Sequence, residues 1–323
     1  MKKFYSAVLI VLLCVLPLVS CKKGGSSKED MKGSVAMVLS GLITDEAFNQ
    51  YTYEGMQRAA KERNFKSVYK ENVSDSEQLE VIRQLASAGY ETIIGQGGQF
   101  GDSLQMVARE FPDTKFVFSV GNETGGLPNL TAATVSYSHA GYIGGIMAAS
   151  ATKTKKVAMI TGVFYANQGM MRDSFKKALQ DVDPSIQYTE IETNDWADTD
   201  KAYNATKLLI DQGYDVIFPC LDAAGAGVAA ACDDSNGKAS VVGSVADYEQ
   251  VYKCKSVIGS AVFDWEGLGY AESLGTLNDG GVHSIGIKDG GIKAVRNNMS
   301  DSGNRLLDKA IEDLTNKKIN IPD

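Results

Sequence analysis

The chain has 323 residues, 44% hydrophobic and 22% charged, an ordinary globular composition that excludes a fibrous or disordered protein. A formal charge of −8 and a pI near 5.0 leave no basic excess for a general nucleic-acid binder. Two histidines are little material for a His-rich metal site, and the length suits two domains with separate cores.

The N-terminus reads MKKFYSAVLIVLLCVLPLVS over residues 1–20. Lys2 and Lys3 precede an apolar run of about 13 residues, Ala7 to Val19, too short to span a bilayer but suited to a signal peptide. Leu18-Val19-Ser20-Cys21 then resembles a bacterial lipobox, in which Cys21 is acylated and becomes the first residue after cleavage. Residues 21–32 continue as a polar, Lys-, Gly- and Ser-containing tether rather than as a helix. Two or more acyl chains anchor a protein stably where one is marginal. The expected product is a lipid-anchored protein of the cell membrane, facing periplasm or exterior. Cys220, Cys232 and Cys254 then remain, an odd set that does not make a disulfide framework; one bridge or three buried thiols both fit.

In the body, strand and helix signals alternate. Strands are expected at Val35–Leu39, Ser67–Val73, Thr92–Gly95, Lys115–Val120 and Ala132–Ser136, with helices from Ala47, around Leu79–Ala86 and over Asp102–Glu110 between them. The same order then recurs. Helix Ala140–Ala151 is followed by strand Lys156–Ile160, helix Gln168–Leu179, strand Gln187–Glu192 and helix Asp198–Asp211. Strand Asp215–Phe218, helix Ala223–Cys232, strands Ser240–Gly243 and Ser256–Val262, and a last helix Glu266–Leu277 complete it. This pattern predicts an α/β protein of two doubly wound parallel-sheet lobes, with a hinge near Thr134–Ser138 and Gly259–Val262. The expected division is 33–135 plus about 262–280 for the N-terminal lobe, and 136–261 plus about 281–323 for the C-terminal lobe and tail. A ligand cleft belongs at the carboxyl ends of the strands. The loops picked out are 40–49, 95–102, 120–126, 162–168, 219–227, 243–248 and 262–265.

Several residues in these loops are candidates for ligand contact. Asp45 opens the first helix, where capping alone would account for it. Phe48 and Asn49 pair an aromatic ring with a two-way amide, a combination suited to a flat polar heterocycle, although Phe48 could equally pack in the core. The glycines from Gly95 to Gly101 lack the Lys-Ser/Thr of a phosphate loop. Asp222 to Gly227 is a small-residue stretch at a helix start that can offer backbone N–H groups or simply allow close packing. Asp247, just after a strand, suits vicinal hydroxyls or a surface turn. His139, within a Ser-His-Ala turn, fits a helix cap better than a catalytic base. No HExxH or GxSxG motif occurs, and no cofactor is implied.

The lipobox, Thr44-Asp45-x-x-Phe48-Asn49-Gln50, Gly89-Tyr90-x-x-Ile93-Ile94-Gly95, Phe111-Pro112-Asp113-Thr114-Lys115-Phe116 and Gln212-Gly213-Tyr214-Asp215-Val216-Ile217-Phe218 together resemble the basic membrane protein family. This family includes the purine nucleoside receptor lipoproteins, ABC-transporter substrate-binding proteins of the type I periplasmic-binding fold. The likeness runs from about Gly33 to Asn297. It implies capture of a nucleoside-like small molecule and delivery to an ABC permease by a monomer without enzymatic activity. Carried over by position, Phe48 and Phe218 would sandwich the base, Asn49 would stand beside the first ring, Asp247 would meet the ribose, and Gly225 would give backbone contact. Two positions depart from the family. Ser119-Val120-Gly121 replaces an Ile-Asp-Gly, and Phe263, with Trp265 close by, stands where the family has a lysine. Losing an acid and a cation together leaves neither unpaired, and the added aromatics make riboflavin an alternative to a purine nucleoside. A nucleoside hydrolase and a surface adhesin are the alternatives of other classes.

Overall fold

The computed structural model describes residues 31–45 and 47–321. The signal peptide, Cys21 and residues 21–30 of the tether lie outside the described residues. The chain begins with β1 (Val35–Leu39), all five residues of which are buried, as befits a central parallel strand covered on both faces. There follow α1 (Phe48–Arg63), β2 (Ser67–Lys70), α2 (Gln78–Ser87), β3 (Thr92–Gln96), α3 (Gly101–Glu110), β4 (Lys115–Ser119) and β5 (Leu130–Val135). The second half holds α4 (Tyr137–Ala151), β6 (Lys156–Thr161), α5 (Ala166–Val182), β7 (Gln187–Glu192), α6 (Thr199–Asp211), β8 (Val216–Cys220), α7 (Gly225–Asp233), β9 (Ser240–Val245), α8 (Tyr248–Tyr252) and β10 (Val257–Phe263). The chain ends with α9 (Trp265–Ser273), β11 (Val282–Ile285), β12 (Ile292–Arg296) and α10 (Asp301–Thr315).

The strands form two six-stranded sheets, ordered β11-β5-β4-β3-β1-β2 and β12-β10-β9-β8-β6-β7. Every pairing is parallel except β10 with β12. The predicted two-lobed α/β architecture is therefore present. One boundary needs correction. β11 pairs with β5 in the first sheet, so the chain beyond residue 281 does not all belong to the second lobe. The alternating and partly exposed VHSI segment gives no apolar run to announce an edge strand.

The chain crosses between lobes at β5 to α4, β10 to α9, and β11 to β12. The crossings are tied to one another by backbone bonds from Ser136 N to Ile285 O and from Asp264 N to Gly291 O, each 2.9 Å. Ser136 caps α4 by accepting from His139 N. The His139 ring in turn accepts from Ile287 N at 3.1 Å, which fixes it as a joint in the crossover.

Glycines set how closely the helices approach. A side chain on Gly55 of α1 would strike the carbonyl of Glu266, and one on Gly269 of α9 would strike the carbonyl of Thr52. The two helices therefore lie backbone to backbone, and their first residues, Phe48 and Trp265, meet at one point.

Candidate functional site

A cleft of about 780 Å³, measured as all the space between its walls, lies between the lobes at the carboxyl ends of the strands. The first lobe contributes Ser40 after β1, Phe48 and Asn49 at the head of α1, Gly97 to Gln99 after β3, and Val120 after β4. The second contributes Tyr165, Asn167 and Gln168 around the start of α5, Trp196 after β7, Cys220 to Asp222 after β8, and Val245 at the end of β9. Tyr137 and Trp265 line it from the crossings. Its lining, aromatic rings with a few polar groups among them, is that of a small-molecule site.

Phe48, Asn49 and Trp265, all expected from the sequence, are brought together here. Phe48 meets Trp265 edge to face at 5.0 Å. Asn49 is buried and accepts from Gly41 N at 3.4 Å while donating to Asp45 at 2.8 Å, so its amide shapes the loop as well as the wall.

Five other expected residues take different positions. Asp45 does not line the cleft; its carboxylate accepts from the amides of Ala47, Asn49 and Gln50 and from the Asn49 side chain, so it organises the head of α1. Phe218 is fully buried and stacks on Phe175 at 4.5 Å with the planes 4° apart. It points from mid-strand under α4, where Gly144 leaves room for its ring, and is corrected to a core residue. Gly225 does not line the cleft either: a side chain there would strike the hydroxyl of Tyr248, so the glycine answers to packing. Asp247 caps α8, accepting from Glu249 N at 3.1 Å and Gln250 N at 3.3 Å. Phe263 lies behind the wall, edge-on to Tyr137 at 4.9 Å and to Trp265 at 5.2 Å.

The main residues missed are Tyr165 and Trp196. Their rings lie nearly parallel, 13° apart, with centroids at 6.5 Å. Trp196 is held by three local devices. Asp195 accepts from Ala197 N and Asp198 N, and Asp198 caps α6 by accepting from Lys201 N. Ala224 N donates to the Trp196 carbonyl at 3.1 Å. Gly162 has no side chain to strike the indole that lies over it. The available signal was position: Trp196 follows a strand at its carboxyl end and is one of two tryptophans in the chain.

The wall holds two buried amide oxygens without a donor and one indole N–H without an acceptor. Asn167 donates across the cleft to the carbonyl of Val120 at 3.1 Å, which ties the lobes together and leaves its own oxygen without a donor. Gln168 Oε1 is likewise buried without a donor, and Trp265 Nε1 is a donor without an acceptor. Asp222 is the one acid among the described residues of the wall, and no Lys or Arg is among them. Val120 and Val245, both β-branched, adopt left-handed φ values of 67° and 70°. Such strain concentrates where a site demands a particular backbone. Cys220, Cys232 and Cys254 are all buried free thiols, which settles the question their odd number left open. Burial pushes the Cys220 thiol up, so it is not a nucleophile at neutral pH. Among the described residues no helix is long and apolar enough to cross a membrane.

Residues 32–323 match the family profile for PnrA-like ABC transporter substrate-binding proteins, Bmp. An ABC transporter nucleoside-binding protein of Lactococcus lactis is 26% identical, with all of this chain and 99% of that protein covered. A purine-binding protein of Brucella abortus is 28% identical over 63% of this chain and 58% of its own length. In fold, an ABC transporter solute-binding protein from Aeropyrum pernix superposes with a TM-score of 0.80 at 17% identity, over 90% of this chain and 94% of that one. With its two-sheet architecture, its interlobe cleft and a profile match along nearly the whole described body, the chain belongs to the Bmp family of ABC transporter substrate-binding proteins.

Proposed function

We propose that the cleft captures a neutral nucleoside, with a purine nucleoside the leading ligand, and that the protein hands it to an ABC permease. The observation that carries this reading is the makeup of the wall among the described residues: aromatic rings from both lobes, two unpaired amide oxygens, one acid and no cation. Phe48 on one side and the Tyr165–Trp196 pair on the other offer faces for a planar base. Asn167, Gln168 and Asp222 accept from the hydroxyl and amino groups such a ligand carries. The names of the Lactococcus and Brucella relatives support the same class. A phosphate would enter an acidic protein through a wall with no Lys or Arg among its described residues, and an unpaired buried charge is costly. Riboflavin shares the ring-and-hydroxyl chemistry, but Phe263, which favoured it, stands behind the wall.

The same reading places the protein at the membrane through an acylated Cys21, acting as a monomer and without catalysis. Cys21→Ser should leave the protein unprocessed or unanchored.

Titration calorimetry with adenosine, guanosine, inosine, riboflavin and the matching 5′-monophosphates tests the ligand. The nucleosides should bind and the monophosphates should bind more weakly. A monophosphate that outbinds its nucleoside would defeat the charge argument.

A further inference from the structure

We propose that Asp222 is the specificity-determining group of the cleft, its carboxylate accepting a pair of neighbouring hydrogen-bond donors from the ligand. This rests on the nucleoside reading for the ligand's class and on the geometry for the residue.

Asp222 sits between the end of β8 and the start of α7, half-buried, with its side chain in the wall of the cleft. Its main chain is fixed: the carbonyl accepts from Gly225 N at 2.9 Å and from the Tyr252 hydroxyl at 3.3 Å. Its carboxylate has no hydrogen bond or ion pair among the described residues. Asp45, the other acid nearby, is the contrast, since four donors from the head of α1 already occupy its oxygens. Around Asp222 stand Asp45 ahead of α1, Tyr137 at the head of α4 and Cys220 at the end of β8. None of these is a cation. Burial, with the Asp45 charge behind it, pushes the Asp222 carboxyl up to about 7. The neighbouring Asn167 and Gln168 oxygens lack donors too, so this side of the cleft is short of hydrogen, and the ligand must bring it.

A carboxylate with two free oxygens is matched by two adjacent donors, and charge-assisted bonds of this kind are about twice as strong as neutral ones. A nucleoside carries such a pair in two places: a ring N–H beside an exocyclic amine, as in guanosine, or the vicinal hydroxyls of ribose. Either pair binds the ionised acid, so ligand binding expels the proton that Asp222 holds in the empty cleft. Affinity should therefore rise as pH rises through about 7 and then level off.

The test is calorimetry on the soluble body with guanosine, adenosine, inosine and 2′-deoxyguanosine, near pH 5.5 and near pH 8.5, in buffers of different ionisation heat. The parent should bind roughly thirtyfold more weakly at the lower pH and release close to one proton per ligand just below neutrality. Asp222→Asn should flatten the pH profile and lose about tenfold in affinity at the higher pH. A loss largest for guanosine puts the donor pair on the base. An equal loss for every ribonucleoside, with 2′-deoxyguanosine weak from the start, puts it on the ribose. Tight binding that ignores pH, and that Asp222→Asn leaves unchanged, overturns the assignment while the nucleoside reading stands. A folded parent that binds no nucleoside at either pH overturns both. Should Asp222→Asn fold poorly, the parent's pH profile and proton release still decide.

Discussion

The strand orders of the two lobes place β1 opposite β6, β3 opposite β8 and β4 opposite β9 in matching sheet positions. After β1 the helix head brings Phe48 and Asn49 to the cleft; after β6 it brings Tyr165 and Asn167. After β4 stands Val120 and at the end of β9 stands Val245, each forced into a left-handed conformation. Thus each lobe offers the cleft a ring, an amide and a strained valine from matching places. The interiors differ. Beneath α4 and α5 the second lobe packs Phe218 face to face on Phe175. On the inner face of α9 the first lobe buries Glu272, whose carboxyl faces the Ser119 hydroxyl without a hydrogen bond of good geometry, and Gln96 Oε1 is also buried without a donor. Wall chemistry follows position at the strand ends, whereas interior chemistry is free to diverge.

The largest effect should come from Phe218. Truncating a fully buried aromatic costs about 3–5 kcal/mol, so Phe218→Ala should lower the denaturant midpoint sharply while the folded fraction binds nucleoside within about twofold of the parent. Calorimetry below the unfolding transition reads the second half of that statement. A tenfold weaker Kd in folded Phe218→Ala would return the ring to the cleft and break the comparison.

Glu272 comes next. Burial pushes its carboxyl up to about 8, with the Ser119 hydroxyl pulling the other way. The unfolded chain releases this proton near pH 4.5, but the folded chain keeps it until about pH 8. Stability from this group is therefore complete below the unfolded value and is lost as pH rises through the folded one. Glu272→Gln, which cannot ionise, should gain on the parent as pH rises from near 5 to near 8, by an amount on the order of a few kcal/mol, and gain nothing more above that. Urea unfolding at a series of pH values measures it. A constant difference across the series would mean that Glu272 is not protonated in the fold.

Trp196→Ala should weaken nucleoside binding about 5- to 150-fold, from the roughly 1–3 kcal/mol of one stacked base, and Phe48→Ala should act similarly. Unlike Phe218→Ala, both should leave the unfolding midpoint nearly unchanged, because Phe48 and Trp196 are only half-buried. A Trp196→Ala protein with parental affinity would leave Tyr165 as the only ring on that side.

How much of this was legible varied with the physics behind each feature. Buried parallel strands announce themselves as short apolar runs, so β1, β3 to β6 and β8 to β10 stood out, while the partly exposed edge strands β2 and β7 followed from the alternation of strands with the helices between β1 and β9. β11 and β12 are edge strands with partly exposed faces, and a strand wet on one side and unpaired on the other needs no apolar run. α10 was legible in principle: Ser300 caps it, and Leu307, Ala310 and Leu314 give it a buried stripe. At the site, Phe48, Asn49 and Trp265 were legible because they open the helices that follow strands β1 and β10. Phe218 misled because family position cannot tell which way a mid-strand side chain points. That is decided by the period-2 alternation and by the space Gly144 leaves above the ring. Asp222 was visible as a residue, but its place in the wall and its lack of side-chain partners depend on how segments distant in sequence assemble around the cleft.

The smallest expected effect concerns Asp247, the residue that the family pattern assigns to ribose. Both hydrogen bonds of its carboxylate go to the first turn of α8, to Glu249 N and Gln250 N, and it stands outside the cleft lining. α8 has only five residues, too few to sustain itself without a cap. Loss of a good N-cap costs about 1 kcal/mol, and asparagine caps nearly as well as aspartate. Asp247→Ala should therefore lose about that much stability, Asp247→Asn should lose little, and neither should shift nucleoside affinity more than about twofold. The paired variants separate the two roles, because a cap needs only an oxygen whereas recognition of hydroxyls gains from the charge. If Asp247→Asn keeps its stability but loses tenfold in affinity, the carboxylate reaches the ligand, and the acid that reads it is shared between the ends of β8 and β9.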